Sequence, residues 1–245
     1  MDSEGPAFRR RGPKMQPSGK SLSQQIFIAL RDDIAACRLW PGTKLQIEPL
    51  AERFSVSLSV VREALSKLSS EGLVTAEPQR GFWVADISLD DLTDLGMARM
   101  DIEAAAIRRA IQHGDAAWEA RLTSAYDRLD SITVIDGSTG MVADDWEAAH
   151  QQFHEALVEA GNSKTLLKIR NSLSERASRY RRMAGPISFR TRDVPNEHRA
   201  IYRATIKRDD ALASALIAAH VRDTMETLIE AMRNGSLKWI APPAA

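Results

Sequence analysis

Residues 50–84 read LAERFSVSLSVVREALSKLSSEGLVTAEPQRGFWV, and the spacing within them predicts two short helices, a tight turn and a two-stranded wing. Leu50, Ala51 and Phe54 share one face of the first helix, and Val56-Ser57 makes the turn. Ser59 is a candidate N-cap, because its hydroxyl can accept a free backbone N–H of the following helix. Val61, Leu65 and Leu68 then recur at i, i+4 and i+7, which gives that helix a buried face. Arg62, Ser66 and Ser69 keep the same spacing on the opposite side, with no bulky apolar residue among them. Gly72 is expected to end the helix in the left-handed region. Residues 73–76 and 82–84 read as strands around a turn at 78–81.

Such a unit can hold one helix rigidly enough for its exposed face to enter a DNA major groove. That groove admits a helix, and its base edges carry a distinct donor and acceptor pattern. The wing tip Gln79-Arg80-Gly81 is polar, basic and small, suited to the backbone or the minor groove. A plain helical hairpin with a solvated face satisfies the same spacing.

The order of residues resembles the winged helix-turn-helix of the GntR family of bacterial transcription regulators. Leu50, Ala51, Val56, Ser57, Ser59, Val61, Arg62, Glu63, Ala64, Leu65, Leu68, Gly72, Leu73, Val74, Arg80, Gly81 and Val84 carry the likeness. Upstream, Arg38, Pro41, Gly42 and Leu45 are similar to the family's segment before its second helix. The resemblance implies Arg62 as the leading DNA contact, with Ser57, Ser59, Ser66, Lys67, Arg80 and Gly81 as further candidates. It also implies a homodimer on palindromic double-stranded operator DNA, because protein symmetry imposes operator symmetry.

Two departures stand out. Val60 replaces the family's Pro at the first helical position, a mild loss because an N–H there has no intrahelical partner in any case. Leu58 replaces an Arg, which removes a base or phosphate contact, so the family's operator sequence is not carried over.

At 245 residues the chain can fold as one small and one medium domain, each with a core. Its 44% hydrophobic and 27% charged residues are those of a globular protein. The formal charge of +0 argues against a histone-like binder but allows a local basic surface. Of the 33 basic and 33 acidic residues, 12 and 9 lie in residues 1–85, a small asymmetry in the direction expected of a DNA-binding half. The single cysteine, Cys37, excludes an intramolecular disulfide framework and fits a reducing cytoplasm; it is expected to be buried in the first helix. No apolar run approaches the roughly 18–20 residues a bilayer span needs, and no apolar signal core follows the N-terminal basic residues. The expected location is cytoplasmic, with no membrane partner.

Taken in order, residues 1–20 are rich in Pro, Gly and charge and read as a disordered basic tail, either solvated or adding phosphate contacts through Arg9, Arg10 and Arg11. Ser21 or Ser23 can cap a helix carrying Ile26, Leu30 and Ile34, which Leu39-Trp40-Pro41-Gly42 ends in a turn. The winged domain thus spans 21–85. A helical domain spans 86–236, with a short Pro-rich tail at 237–245. Helices are expected near 89–112, 115–132, 142–160, 163–183, 192–207 and 209–234. Breaks are expected at Gly114, Asp136-Gly137-Ser138, Gly161-Asn162, Gly185-Pro186 and Asp209-Asp210. The expected fold class is therefore mostly α: an N-terminal winged helix-turn-helix and a C-terminal all-α six-helix antiparallel bundle.

His150 and His154 lie at i, i+4 on one predicted helix, and His198 and His220 fall on two later ones. Three helices of a bundle can bring such residues together, and imidazole nitrogens are common ligands of divalent metals. Spacing alone also allows a set of buried, hydrogen-bonded histidines.

The helical half resembles the FCD ligand-binding domain of the FadR-type branch of GntR regulators, and its helix count is similar to the VanR-like subgroup. The likeness rests on Arg99, Ile102 and Glu103, then His154 in HQQFH, Gly161-Asn162, Glu197-His198 with Ile201, and His220. In that family an Asp and three His usually hold a metal, and a small organic acid often completes the coordination. The resemblance implies zinc first, with nickel or another transition metal as alternatives. Here His150 stands at the Asp position. A fourth imidazole would leave the metal charge without a carboxylate and attract an anion more strongly; alternatively, His154, His198 and His220 form a three-His site. Arg99 could face the far end of an acidic effector or pair with Glu103 one turn on. Met97, Met100, Trp118 and Trp146 are expected in the core.

A three-His metal could in principle activate water. HQQFH, however, has Gln151 where the zinc-protease motif HExxH has its general base. A metal-dependent hydrolase is thus a remote alternative, and a DNA-binding dimer with a purely structural bundle is another. The expected protein is a non-enzymatic, acid-responsive repressor.

Overall fold

The computed structural model describes residues 21–135 and 142–234, with the backbone alone for 182–190. The expected break at Asp136-Gly137-Ser138, the N-terminal tail with Arg9 to Arg11 and the C-terminal tail lie outside the described residues. The chain divides into two compact units whose boundary falls between Ile87 and Ser88.

The first unit begins with α1, Leu22–Ala35, capped by the Ser21 hydroxyl, which accepts from the Gln24 N–H at 3.2 Å. Cys37 lies beyond the helix, half-buried, at φ 53°, which corrects its expected burial in α1. The reason is Asp33, whose backbone carbonyl accepts the Arg38 and Leu39 N–H groups and so turns the chain back before Cys37 can extend the helix. Its carboxylate also holds Arg38 and Arg53, each at 2.7 Å.

β1, Lys44–Leu45, follows, then α2, Ile47–Phe54, α3, Leu58–Ser70, β2, Val74–Glu77, and β3, Gly81–Val84. The wing has three strands in the order β1-β3-β2, not two. The short β1 is recruited because Gly42, at φ +75°, turns the chain so that its N–H meets the Val84 carbonyl at 3.0 Å.

Ser57, not Ser59, is the N-cap of α3. Ser57 is extended (φ −74°, ψ 156°), Ser59 is already helical, and their hydroxyls bond each other at 2.9 Å. At the other end, Gly72 takes φ +73° as expected. Its N–H bonds the Ser69 carbonyl, and the Leu73 N–H reaches back to Leu68, a Schellman closure that fixes where β2 starts. Val61, Leu65 and Leu68 pack on Ile26, Leu30, Leu50 and Phe54 in one apolar core.

The second unit is helical: α4, Leu89–His113, α5, Ala116–Ser131, α6, Asp144–Ala156, α7, Lys164–Thr191, α8, Val194–Ile206, and α9, Asp210–Arg233. Ser88, Asp115, Asp193 and Asp209 each cap a helix through the side chain. α7 runs through Gly185-Pro186, where a break is expected. Glycine has no Cβ to clash with the following proline ring, so the usual penalty on the residue before proline is reduced. α4 and α9 pack closely: a Cβ on Gly96 would overlap the Met225 Sδ. Trp118, Leu122, Phe153, Leu157, Ile201 and Ile217 form the core, with Trp146 in it and Met97 exposed instead. Among the described residues no helix is long and apolar enough to cross a membrane.

Candidate functional site

In the first unit, α3 is held by its apolar face and leaves Ser57, Ser59, Arg62 and Ser66 exposed. Arg62 makes no hydrogen bond or ion pair among the described residues, so its charge is available to a partner. Leu58, where the family has Arg, is 44% exposed on the same end of the helix. Lys67 turns the other way: its ammonium bonds Gln24 and sits 4.7 Å from the Phe27 ring centroid, on α1. A phosphate would have to draw it off that ring. Arg80, at the wing tip, pairs with Glu77 at 2.7 Å and stays largely exposed. Gly81, at φ +112°, has open space where a side chain would stand.

In the second unit, α6 supplies His150 and His154, α8 His198 and α9 His220. All four are buried, and each offers a ring nitrogen within 4.8 Å of the others. His150 therefore reaches the cluster. The Nε2 atoms of His154 and His198 face each other at 3.4 Å. Burial above all, reinforced by the other imidazoles, pushes His150, His154 and His198 well below the usual histidine range. Burial lowers His220 too, against the pull of Glu197.

His220 Nδ1 lies 2.7 Å from Glu197 Oε2, so the neutral ring donates there and leaves Nε2 with its lone pair toward the cluster. Partial burial pushes the Glu197 carboxyl up, but the bonds from His220 and Arg192 together leave it below its ordinary value. Arg192 in turn reaches the Thr224 hydroxyl at 2.8 Å and the His220 carbonyl at 3.3 Å. The Nδ1 of His150 is buried with no hydrogen-bond partner among the described residues. Four imidazoles, one with an orphaned ring nitrogen and one backed by a carboxylate, fit a divalent cation of the zinc and nickel type.

Around this cluster runs a buried ionic layer. Glu103 accepts from Arg170 at 3.0 Å and, more distantly, from Arg99 at 3.4 Å. Arg170 also donates to the His154 carbonyl at 3.1 Å, tying α7 to α6. Arg99 pairs weakly with Glu103 and also lines a pocket with His150, His154, Ser174, Arg181 and His220. Burial pushes the Arg99 guanidinium down to about 10, partly opposed by Glu103 and furthered by Arg181 and Arg170. The Nε atoms of Arg99 and Arg181 are buried without partners among the described residues. Gln151 spends its amide on Glu155 at 2.9 Å. Sequence reasoning misses Arg170 and Arg181, whose carboxylate partners Glu103 and Glu147 lie on other helices.

Residues 22–84 match the family described as bacterial regulatory proteins of the gntR family, and residues 94–223 match the FCD domain. The chain is 37% identical over 212 residues to the HTH-type transcriptional regulator BphR of Paraburkholderia xenovorans, covering 85% of this chain and 86% of that one. It is 33% identical over 208 residues to the HTH-type transcriptional repressor GlaR of Escherichia coli, covering 83% and 94%. In fold it is similar to the solved structure of E. coli McbR/YncC, with a TM-score of 0.72 at 20% identity over 87% of this chain and 99% of that one.

Proposed function

The chain belongs to the GntR family of bacterial regulators, with an FCD domain following its DNA-binding domain in the sequence, and on that premise we propose a homodimeric repressor that senses a small organic acid at a metal-anchored site. It is a DNA-binding regulator of transcription rather than an enzyme. Acting on bacterial operators places it in the cytoplasm. Arg62 leads the contact with a palindromic operator, beside Ser57, Ser59, Ser66, Arg80 and Gly81, with Lys67 at the edge.

The observation that carries the sensing role is the convergence of four buried imidazoles on one point, within 4.8 Å, beside an unpartnered guanidinium nitrogen. His150, His154, His198 and His220 would hold the cation, zinc first and nickel or another transition metal next. When bound, the metal supplies a positive anchor for an oxyanion. With no carboxylate among its four donors its charge is not neutralised, which favours an anionic effector. Arg99 and Arg181 hold the acid's oxygens on the other side. Effector binding alters DNA affinity only in so far as the acid binds the two arrangements of the dimer unequally.

Thermal unfolding of the full chain against a panel of small carboxylic acids, with and without a chelator, tests this. An acid at about 100 times its dissociation constant stabilises by roughly 2.7 kcal/mol, and the shift disappears on chelation and in His154→Ala. No shift with any acid, and no response to chelator, leaves a metal-free structural bundle.

A further inference from the structure

Two rows of exposed side chains run along α3 in the DNA-binding head, the first unit. Glu63 and Lys67 form one row, and both are engaged with α1: the Ser23 hydroxyl donates to Glu63 at 2.7 Å, and the Lys67 ammonium bonds Gln24. Leu58, Arg62 and Ser66 form the other, spaced i, i+4 and i+8 and all exposed. Neither Arg62 nor Ser66 makes a side-chain hydrogen bond among the described residues. The row turned away from α1 is therefore the one left for DNA, and it begins with a large apolar side chain. Leu58 is the first residue of the helix and is 44% exposed.

From this we infer that Leu58 is a specificity-determining residue that packs on the C5-methyl group of a thymine in the major groove, one such thymine in each half-site. The inference rests on the DNA-binding reading and adds to it a base that the operator must contain.

Position and chemistry carry it together. A recognition helix meets base edges with its N-terminal residues, and Leu58 opens the helix on the same row as Arg62. An isobutyl group gains nothing from a phosphate, so Leu58, unlike Arg62 and Ser66, has no part to play as an anchor on phosphate oxygens. Among the base edges of the major groove, the thymine methyl is the distinctive apolar group; guanine, adenine and cytosine present acceptors and donors there. Leu58 set against those would strip their water and return no hydrogen bond, which is costly. Against a thymine it buries a methyl group and its own exposed surface at once. Leu22, the other large apolar side chain so exposed in the head, lies on α1 and away from this row.

The test uses the full chain and a random double-stranded DNA library to select a binding site, and then replaces each thymine of that site in turn by deoxyuridine, which removes the methyl group alone. Affinities are read by fluorescence anisotropy. One thymine position is expected at which the replacement weakens binding about fourfold for each half-site. Leu58→Ala is expected to bind the thymine site about as weakly as the wild-type chain binds the deoxyuridine site, and to be indifferent to the replacement. Leu58→Arg, put through the selection afresh, is expected to exchange that T·A pair for one with guanine, whose O6 and N7 accept from a guanidinium. Leu58 lies outside the core, so both variants keep the wild-type melting temperature. If no thymine methyl matters, or if the effect persists in Leu58→Ala, the assignment is overturned and DNA binding stands. If the full chain selects no site at all, sequence-specific binding itself is overturned.

Discussion

The head and the helical unit bury different kinds of side chain. In the head the core is aliphatic and aromatic, from Ile26 to Val84, and Ser23 and Asp33 are its buried polar residues among those described. Its charged candidates for function, Arg62 and Arg80, lie outside that core. The helical unit has an apolar core as well, but it also buries Arg99, Glu103, Arg170, Arg179 and four histidines. A surface that meets DNA needs only a rigid backing, which apolar packing supplies. A site that encloses a small ion must bring polar groups inside, where each is costly unless bonded. The orphaned nitrogens of the second unit are therefore more telling than the exposed charges of the first.

If that contrast holds, Arg170→Ala has the largest effect, because it leaves Glu103 buried with only the distant Arg99. A loss of about 3–5 kcal/mol is expected in denaturant unfolding, confined to the helical unit; a loss below about 1 kcal/mol would erase the distinction between the two interiors. Arg62→Ala comes next and acts on binding alone. Operator affinity, read by gel shift or fluorescence anisotropy, falls by about 1–3 kcal/mol while the melting temperature stays put. A melting shift without an affinity change would make Arg62 structural. Smallest is Gly72→Ala, which forces a Cβ into the left-handed region at the end of α3 and costs about 1–2 kcal/mol of head stability, visible in thermal unfolding of the full chain.

The sequence makes the head largely legible because its signals are local. Val61, Leu65 and Leu68 set the buried face of α3, and Gly72 sets its end, all within a few residues. β1 is missed because two residues carry no periodicity, and its partners Phe82 and Trp83 lie far along the chain. The Ser57 and Ser59 caps cannot be told apart by type, since both offer a hydroxyl within one turn. In the helical unit, the histidines are visible through spacing and resemblance. Arg170 and Arg181 are not, because on α7 they belong to a run of arginines that reads as a solvated face. Their carboxylate partners, Glu103 for Arg170 and Glu147 for Arg181, lie on other helices. The continuation of α7 past Gly185-Pro186 is a further case in which a local breaker is overruled.

The bonds around His220 have one more consequence. Its Nδ1 meets Glu197, Glu197 meets Arg192, and Arg192 returns to the His220 carbonyl and to Thr224, so the contacts close into a circuit. A ring clamped at both ends has almost no torsional freedom left. Its disorder is removed when the chain folds, not when a ligand arrives, and α9 presents the imidazole at a set angle before anything binds.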